Sequence, residues 1–356
     1  MTTLQSRQLG DGPGQLHVLT GGPQGTDAAG GPAVCLVHGN LSTSAFFAGT
    51  AAALPESWPV AVPDLRGFGR SAPAPVDATR GVADFADDLA RVLDAGLCGA
   101  PDQPVHLVGW SLGGGVVMRY AIDHPERVAS VTLLAPLSPF GFGGTRDTEG
   151  ALCYPDAAGS GAGVVNPEMV RRIAAGDRTD ESPVSPRSVV RSLYVHPPLR
   201  FPAEVEDLFV AEILATAMGD AHYPGDQQPS PHWPGAAPGV LGVANSMSPL
   251  YCDLSTFADV ATAWPVLWVR GDSDQIVSDT SSTDVGFLGA SGLIPGWPGP
   301  EFPAQPMVSQ TRAVLRRAEA GGGTFTEEVF PGCGHSPHLE YPAKFRALFT
   351  SFVTGG

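Results

Sequence analysis

The chain has 356 residues, of which 45 are glycine and 35 are proline, and its formal net charge is −16. So much glycine and proline is typical of disordered or collagen-like chains. However, the glycines show no three-residue period, and the 43% hydrophobic residues are enough for a large core. The negative charge argues against nucleic acid or an anionic membrane surface as a partner, because both would repel the chain.

The cysteines and the N-terminal residues favour a cytoplasmic protein. The five cysteines, at positions 35, 98, 153, 252 and 333, are widely spaced and form no C-x-x-C pair, which argues against a zinc site or a disulfide framework. A bond between Cys153 and Cys252 stays open. Residues 1–7 lack the apolar stretch of a signal peptide, and no apolar run reaches the length of a membrane span. We expect a soluble protein with one large α/β domain and an insertion, or with two domains.

Short apolar runs alternate with helical stretches along the chain, and several runs are apolar throughout, as in strands covered on both faces. The predicted strands are Ala33–His38, Val60–Pro63, Val105–Trp110, Val128–Ala135, Val266–Arg270 and Thr324–Phe330. The predicted helices are Thr43–Leu54, Val82–Leu97, Leu112–His124, Ser309–Ala320 and Pro342–Val353. This order predicts an α/β fold with a mostly parallel sheet, right-handed crossovers and helices on both sides.

Two irregular stretches interrupt the alternation. The first contains two predicted helices, NPEMVRRIAAG and AEVEDLFVAEILATAMG, and the second is rich in proline. An insertion above the carboxyl ends of parallel strands covers the edge at which ligands bind. We therefore predict a core at residues 1–136 and 256–356, a mainly helical cap at 137–255, and a loop insertion at 279–308. The alternative is a surface decoration, although apolar positions such as Phe209 and Ile213 favour packing of the first insertion.

The segment Gly109-Trp110-Ser111-Leu112-Gly113 follows a predicted strand directly and precedes a predicted helix. In that context G-x-S-x-G indicates a tight turn that holds the serine exposed above the sheet. The amide of Leu112 lies at the helix N-terminus, where an unpaired N–H and the helix dipole favour an anion. A glycine-rich turn with an incidental serine is the alternative interpretation.

A serine nucleophile needs a base, and the base needs a carboxylate to orient it. His335 lies in a glycine turn between the last predicted strand and the last helix, whereas His338 is closer to the helix and is better explained as a helix-entry residue. Asp272 and Asp274 both follow the strand that ends at Arg270, and either one could orient the base; the other would form the turn.

The segment Val37-His38-Gly39-Asn40 closes the first predicted strand. Its glycine turn could aim the Asn40 amide at the same point as the Leu112 amide, and two such donors form an oxyanion hole. His38 is more plausible as a residue that holds this turn than as a base.

In their order along the chain, these His-Gly, Ser, Asp and His elements resemble the α/β-hydrolase family over about residues 33–135 and 266–353. Asp64-Leu-Arg-Gly-Phe-Gly-Arg-Ser71 is similar to a family turn that braces the oxyanion loop. The resemblance implies Ser111 as nucleophile and His335 as base. The family's G-x-x-D pattern implies Asp274 as the acid, and the alternative family position after the sixth strand has no carboxylate here.

Serine rather than aspartate at position 111 argues against haloalkane dehalogenases and epoxide hydrolases of this family. It indicates acyl transfer to water through an acyl-enzyme, without a cofactor. His222, Asp226 and His232 share one loop, but their irregular spacing favours a solvated loop over a metal site. Within the same fold, an amide or carbon–carbon bond hydrolase, an acyltransferase or a non-catalytic receptor stay open as alternatives.

The substrate depends on the insertions, where inference from sequence is weakest. Candidate pocket residues are Trp110, Phe140, Phe142, Tyr194, Trp233, Met247 and Trp297. Most of them are better explained as core of the cap. These side chains favour an apolar, bulky small-molecule ester or lactone. The long insertions look similar to those of lactonases of this fold that act on macrolactones, such as zearalenone hydrolases. The sequence gives no oligomeric state.

Overall fold

The computed structural model describes residues 2–25 and 31–355, and most of its strands belong to one sheet of eight. The strands are β1 (Gln5–Leu9), β2 (Leu16–Gly21), β3 (Ala33–Val37), β4 (Val60–Pro63), β5 (Val105–Trp110), β6 (Val128–Leu134), β7 (Gln227–Pro229), β8 (Ala236–Pro238), β9 (Val266–Gly271) and β10 (Phe325–Phe330). The order in the large sheet is β1-β2-β4-β3-β5-β6-β9-β10. Strands β7 and β8 form a separate antiparallel pair.

Helices connect the strands and cover the sheet. They are α1 (Ala45–Ala52), α2 (Ala83–Asp94), α3 (Leu112–Asp123), α4 (Pro167–Ala174), α5 (Pro186–Val189), α6 (Ala203–Leu214), α7 (Val243–Ser246), α8 (Phe257–Val260), α9 (Val285–Ala290), α10 (Met307–Ala320), α11 (Pro337–Glu340) and α12 (Pro342–Thr354). Helices α2, α3, α8 and α10 follow one another in contact, as do α1, α11 and α12. None of the helices in residues 2–25 and 31–355 combines the length and the apolar character that a membrane crossing requires.

The parallel part of the sheet confirms the predicted α/β fold. Strands β4, β3, β5, β6, β9 and β10 run parallel to one another, and every residue of β3 and β4 is buried. Strands buried on both faces need no polar side, which explains their uninterrupted apolar sequences. The predicted strands and core helices are all present, with ends within three residues of the prediction.

An antiparallel extension of the sheet was not predicted. Strand β1 pairs with β2, and β2 pairs with β4, both antiparallel. Four of the five residues of β1 are exposed, so this edge strand lacks the apolar pattern from which a strand can be recognised. Strand β2 is mostly buried, but it is short and lies between two glycine-rich turns.

Five parallel strands bring their carboxyl ends to the same edge of the sheet. Register pairs Val37 with Gly109, and Trp110 with Leu134, so the loops that follow β3, β5 and β6 are neighbours. The loops after β9 and β10 join them, because Phe330 pairs with Gly271. The residues singled out from the sequence as nucleophile, base, acid and oxyanion donors all belong to these loops or to the helix start beside them.

The 137–255 segment contains helices α4 to α7, a π-helical turn at Val190–Tyr194 and the β7–β8 pair. Hydrogen bonds fasten it to the core: Ala217 N donates to Gly67 O at 2.7 Å, and Gly69 N to Ala215 O at 3.0 Å. The 279–308 segment was predicted as loop, yet it includes the short helix α9, whose first turn is capped by the carboxylate of Asp284. The domain boundaries stay a prediction.

All five cysteines are free thiols, so Cys153 and Cys252 are not bonded to each other. Cys252 is buried, and burial raises the pKa of both thiols to about 12. Cys35 and Cys98 are also buried, and a hydrogen bond between them, together with burial, raises the pKa of the Cys35 thiol. The thiols of Cys35, Cys153 and Cys252 are therefore protonated at neutral pH, which makes them poor nucleophiles.

Candidate active site

Ser111 occupies a strained turn between β5 and α3. Its φ of 56° and ψ of −122° lie in a region that residues other than glycine rarely adopt, at a cost of about 1–3 kcal/mol. Two backbone hydrogen bonds hold it there: Ser111 N donates to Leu134 O at 3.0 Å, and Ser111 O accepts from Leu137 N at 2.8 Å. The side chain is partly exposed, although the residues on both sides of it are buried.

The glycines of the turn are required by close approaches of the backbone. A Cβ on Gly109 would collide with the carbonyl of Gly113, and a Cβ on Gly113 would collide with the carbonyl of Val37. Leu112 is the first residue of α3, so its N–H has no acceptor within the helix. The turn therefore presents a hydroxyl and a free backbone donor side by side.

His335 and Asp274 form a buried hydrogen-bonded pair. Nδ1 of His335 lies 2.8 Å from Oδ2 of Asp274, and both side chains are 2% exposed. The other carboxylate oxygen, Oδ1, accepts from Ile276 N at 2.8 Å and from Val277 N at 3.1 Å, which fixes the orientation of the carboxylate. Because a carboxylate accepts, Nδ1 carries the proton and Nε2 has a free lone pair with which to take another.

Asp272 lies elsewhere in the same turn. Its Oδ1 accepts from Gly332 N and from the Ser273 hydroxyl, both at 2.8 Å, and its side chain is exposed. The structure thus brings Asp274, and not Asp272, to His335, while Asp272 stabilises the loop that leads to the histidine.

His338 is buried beside the same site but has no triad geometry. Its ring stacks on Phe47 at 4.4 Å and meets the edge of Trp110 at 5.1 Å. Neither ring nitrogen has a hydrogen-bond partner among the described residues. Burial, and to a lesser degree the charge of His335, lowers the pKa of His338 to about 3. This histidine is a neutral packing residue at the start of α11.

The loop that carries Asn40 lies against the nucleophile. A Cβ on Gly39 would come within 2.9 Å of the Cβ of Ser111, so only glycine lets the two loops approach so closely. Leu41 follows with a φ of 50°, a second strained residue at this edge of the sheet. Asn40 is therefore placed next to the serine, although the distance from its amide to an oxyanion depends on the bound substrate.

His38 holds this loop rather than taking part in proton transfer. Its Nε2 accepts from Leu65 N at 2.9 Å, so its Nδ1 carries the proton and donates to Gly39 O at 2.8 Å. Burial lowers the pKa of His38, which keeps the ring neutral. This agrees with the structural role expected from the sequence.

Asp64 connects the turn after β4 to the same loop. One carboxylate oxygen accepts from Ser44 N at 2.7 Å, and the other from His17 Nδ1 at 2.8 Å and from Arg70 N at 2.9 Å. Burial raises the pKa of Asp64, but these hydrogen bonds outweigh it and hold the pKa at about 2. The carboxylate is thus charged and bridges three segments around the site.

Side chains of the 137–255 segment contact the Asn40 loop. The Tyr194 hydroxyl donates toward Leu41 O at 2.9 Å and Asn40 O at 3.2 Å. Thr43 Oγ1 donates to Glu212 Oε2 at 2.6 Å, which connects the loop to helix α6. We call Tyr194 and Glu212 the loop anchors.

Two of the predicted pocket residues lie beside Ser111 and the His335–Asp274 pair. Trp110 and Tyr194 meet edge to face with centroids 5.6 Å apart, and Trp110 Nε1 donates to His335 O at 2.8 Å. Phe46 stacks on Trp110 at 5.7 Å and on Phe209 of α6 at 4.2 Å, so an aromatic cluster joins the core to the 137–255 segment.

The other predicted pocket residues form two separate groups. Trp233 and Trp297 lie on either side of Gly289, where a Cβ would meet both indoles. They belong to a cluster with Phe302, which the structure does not place in contact with Ser111 or His335. Phe142 and Met247 are joined through their backbones, since Phe142 N donates to Met247 O at 2.7 Å, and Phe140 is buried nearby against Gly150.

The structure separates the three loop residues considered as metal ligands. Asp226 accepts backbone N–H groups, with Leu241 N at 2.7 Å, and His232 stacks on Tyr154 at 4.4 Å. His222 has a buried Nδ1 without a hydrogen-bond partner in the described part of the chain. Within residues 2–25 and 31–355, no group of three or more His, Cys, Asp or Glu is arranged to hold a metal ion.

Sequence reasoning missed Glu340, whose buried carboxylate accepts from the backbone of Gly334 and Ser336 on both sides of His335. It also assigned Tyr194 to a pocket and overlooked its hydroxyl. The spacing of Glu340, one helical turn after the histidine loop, was a signal that could have identified it. No pattern in the sequence pairs Tyr194 with the Asn40 loop, because Tyr194 is 153 positions away from Leu41 along the chain.

Comparisons with known proteins agree with the observed fold. The family model for the alpha/beta hydrolase fold matches residues 32–158. The RutD protein of Variovorax paradoxus, provisionally assigned as a carbamate hydrolase, is 38% identical over 145 residues, which are 40% of this chain and 51% of that protein. The pimeloyl-[acyl-carrier protein] methyl ester esterase of Aeromonas hydrophila is 36% identical over 105 residues, covering 30% of this chain and 38% of the esterase.

The chain spans about half or less of the length of these curated relatives. A likeness in fold extends over nearly the whole chain: carboxylesterase CesB (YbfK) of Bacillus subtilis superposes with a TM-score of 0.57 and 17% identity, covering 99% of this chain and 93% of that structure. Together with the parallel sheet, these matches show that the chain has the alpha/beta hydrolase fold.

Proposed function

We propose that this protein hydrolyses carboxylic esters through an acyl-enzyme on Ser111. The observation that carries the proposal is the strained Ser111 turn, with a buried His335–Asp274 pair at the carboxyl ends of the neighbouring strands. Strain in a turn persists only where the surroundings enforce it, and such turns concentrate at functional sites. The similarity to a methyl ester esterase over the core supports ester chemistry.

In the proposed reaction, Nε2 of His335 removes the Ser111 proton while Oγ attacks the ester carbonyl. The negative charge on the carbonyl oxygen is stabilised by the N–H groups of Asn40 and Leu112, each contributing about 3 kcal/mol to lowering the barrier. The imidazolium then gives its proton to the leaving alkoxide, which departs as the alcohol. Water repeats the sequence on the acyl-enzyme, releases the acid and restores Ser111.

The aromatic cluster around Ser111 supports an apolar acyl or alcohol group in the substrate. Phe46, Trp110 and Tyr194 are all buried next to the nucleophile or to the Asn40 loop, and Phe209 extends the cluster into the 137–255 segment. We propose a small-molecule ester or lactone with a bulky apolar group, macrolactones such as zearalenone included. The charge of −16 disfavours strongly anionic substrates at a distance.

A carbon–nitrogen bond is the second candidate, and the likeness to RutD favours it. The same serine, base and oxyanion donors would attack a carbamate or an amide, but the leaving nitrogen must then be protonated before it departs. The two candidates therefore differ in substrate preference and not in the residues required.

The proposal is tested by incubating the purified protein with graded p-nitrophenyl esters, lactones and aryl carbamates. A fluorophosphonate that labels nucleophilic serines is used in parallel, with the labelled peptide identified by mass spectrometry. We expect burst release of p-nitrophenol and labelling at Ser111, both lost in Ser111→Ala with an unchanged melting temperature. A wild-type protein that shows neither labelling nor a burst with any activated acyl compound would exclude the proposal.

A further inference from the structure

The carboxylate of Glu340 lies at the end of α11 and is 9% exposed. Both of its oxygens accept from Gly334 N, at 2.9 and 3.0 Å. Oε1 also accepts from Ser336 N at 3.3 Å and from the thiol of Cys333 at 3.4 Å. Oε2 accepts from His196 N at 2.8 Å, which belongs to the 137–255 segment. One buried side chain therefore collects donors from two parts of the chain.

This carboxylate is held by neutral donors. Within the described residues it forms no salt bridge with a Lys, Arg or His side chain, in contrast to Glu206, which pairs with Arg187 and Arg191. A buried carboxylate is costly unless hydrogen bonds replace its hydration. Hydrogen bonds to a charged acceptor are stronger than those between neutral groups, so several of them offset that cost and hold the donors firmly.

The donors of this cluster surround one residue. Gly334 and Ser336 are the neighbours of His335, so Glu340 accepts from the N–H of the peptide group directly after the histidine and from the backbone N–H of the residue before it. Trp110 Nε1 holds the His335 carbonyl at 2.8 Å. Asp274 then sets the rotation of the ring. The backbone around His335 is thus held by hydrogen bonds that do not involve the histidine side chain.

The approach of the 137–255 segment explains the glycine before the histidine. A Cβ on Gly334 would lie 2.8 Å from His196 N and 3.0 Å from the carbonyl carbon of Val195. The backbone of residues 195–196 therefore packs against the histidine loop, and the Glu340 carboxylate accepts hydrogen bonds from both. This arrangement connects the position of the loop to the seating of the 137–255 segment.

We propose that Glu340 is a positioning residue for His335, which it fixes to the backbone of residue 196; the proposal rests on the proposed function. The hydrogen bonds set the geometry of the histidine loop, on which the rate of proton transfer depends. The bond from His196 N fixes the same loop to the 137–255 segment.

Two variants test this role. Glu340→Gln keeps the shape but turns one acceptor into a donor that faces backbone N–H groups. We expect kcat to fall about 10- to 100-fold with KM changed less than about 3-fold, because a small misplacement of a catalytic group has this effect. Glu340→Asp keeps the carboxylate but shortens its reach, so kcat should fall in this variant as well.

Glu206→Gln is the matched control, since it makes the same change at a carboxylate that is 4% exposed and lies outside the histidine loop. It should lower the melting temperature and leave kcat at its wild-type value. If the Glu340 variants lose activity only in proportion to their unfolded fraction, or keep wild-type kcat, the proposal is overturned.

A measurement without turnover separates this proposal from the proposed function. The proton between Nδ1 of His335 and Asp274 is expected to give a downfield NMR resonance that Asp274→Asn assigns by its loss. In Glu340→Gln this resonance should move or broaden, and in Glu206→Gln it should not. A resonance that is identical in wild type and Glu340→Gln would overturn the positioning role. Absence of serine labelling in the wild type, by contrast, would exclude the proposed function alone.

Discussion

Replacing Asp274 by asparagine tests the buried pair at the centre of the site. In the wild type, Oδ1 is held by Ile276 N and Val277 N, and Oδ2 accepts from Nδ1 of His335. Asparagine has one acceptor oxygen, and the two backbone donors will hold it at the Oδ1 position. Its NH₂ group must then face Nδ1 and donate to it.

The consequence is a change of tautomer. When Nδ1 accepts, the imidazole proton is on Nε2, which can no longer remove a proton from Ser111. Loss of the correct tautomer costs about 10⁴-fold in kcat in triads of this kind, equivalent to about 5.5 kcal/mol of barrier. The fold should change little, since Asp274→Asn keeps the shape and the two backbone hydrogen bonds.

The assay is the steady-state hydrolysis of the best activated ester at pH 7.5, with melting temperatures recorded for each variant. Asp272→Asn is the control, because its carboxylate is exposed and touches only Gly332 N and the Ser273 hydroxyl. We expect this control to keep kcat within about 3-fold of the wild type. An Asp274→Asn variant that kept a tenth or more of the wild-type kcat would refute the tautomer reasoning, as would a larger loss in the control.

Two further predictions concern packing and pH. Gly39→Ala should reduce kcat/KM by at least about 100-fold, because its Cβ would come 2.9 Å from the Ser111 Cβ. The control is Gly49→Ala in α1, which has open space around it and should keep full activity and raise the melting temperature. Equal activity of the two variants would contradict this prediction. Burial raises the pKa of Asp284 to about 6, so the folded state holds this proton more tightly than the unfolded state. The contribution of Asp284 to the free energy of unfolding is therefore present below about pH 4 and is lost as the pH rises through about 6. Urea unfolding should show a stability decline of roughly 2 kcal/mol between pH 4 and 6.5 in the wild type that Asp284→Asn lacks, and parallel pH curves for the two proteins would disprove it.

The core of the fold could be predicted because its sequence and its environment agree. Strands such as Val105–Trp110 are buried on both faces, and their apolar runs are unbroken. The serine turn was equally visible, since the glycines at 109 and 113 are imposed by carbonyl groups within the collision distance of a Cβ. Local constraints of this kind can be recognised in the sequence as unbroken apolar runs and as glycines at fixed positions.

Contacts between distant segments leave no such pattern. The choice of Asp274 over Asp272 followed from the family resemblance, whereas its physical basis is the pair of backbone donors that orient one carboxylate toward His335. The Tyr194 hydroxyl meets its acceptors across more than 150 residues, and β1 is an exposed edge strand. Such features depend on tertiary packing, which propensity and periodicity do not encode.

The loop anchors have a consequence for engineering. Tyr194 and Glu212 reach from the 137–255 segment to the Asn40 loop, and the amide of residue 196 reaches Glu340. A chimera that exchanged this segment for that of another hydrolase, in order to import a new specificity, would discard all three contacts together. The chimera would then have a new segment above the site, but the Asn40 loop and the histidine loop would lack their supporting contacts. A productive graft must therefore begin after residue 217 or include equivalents of these three residues.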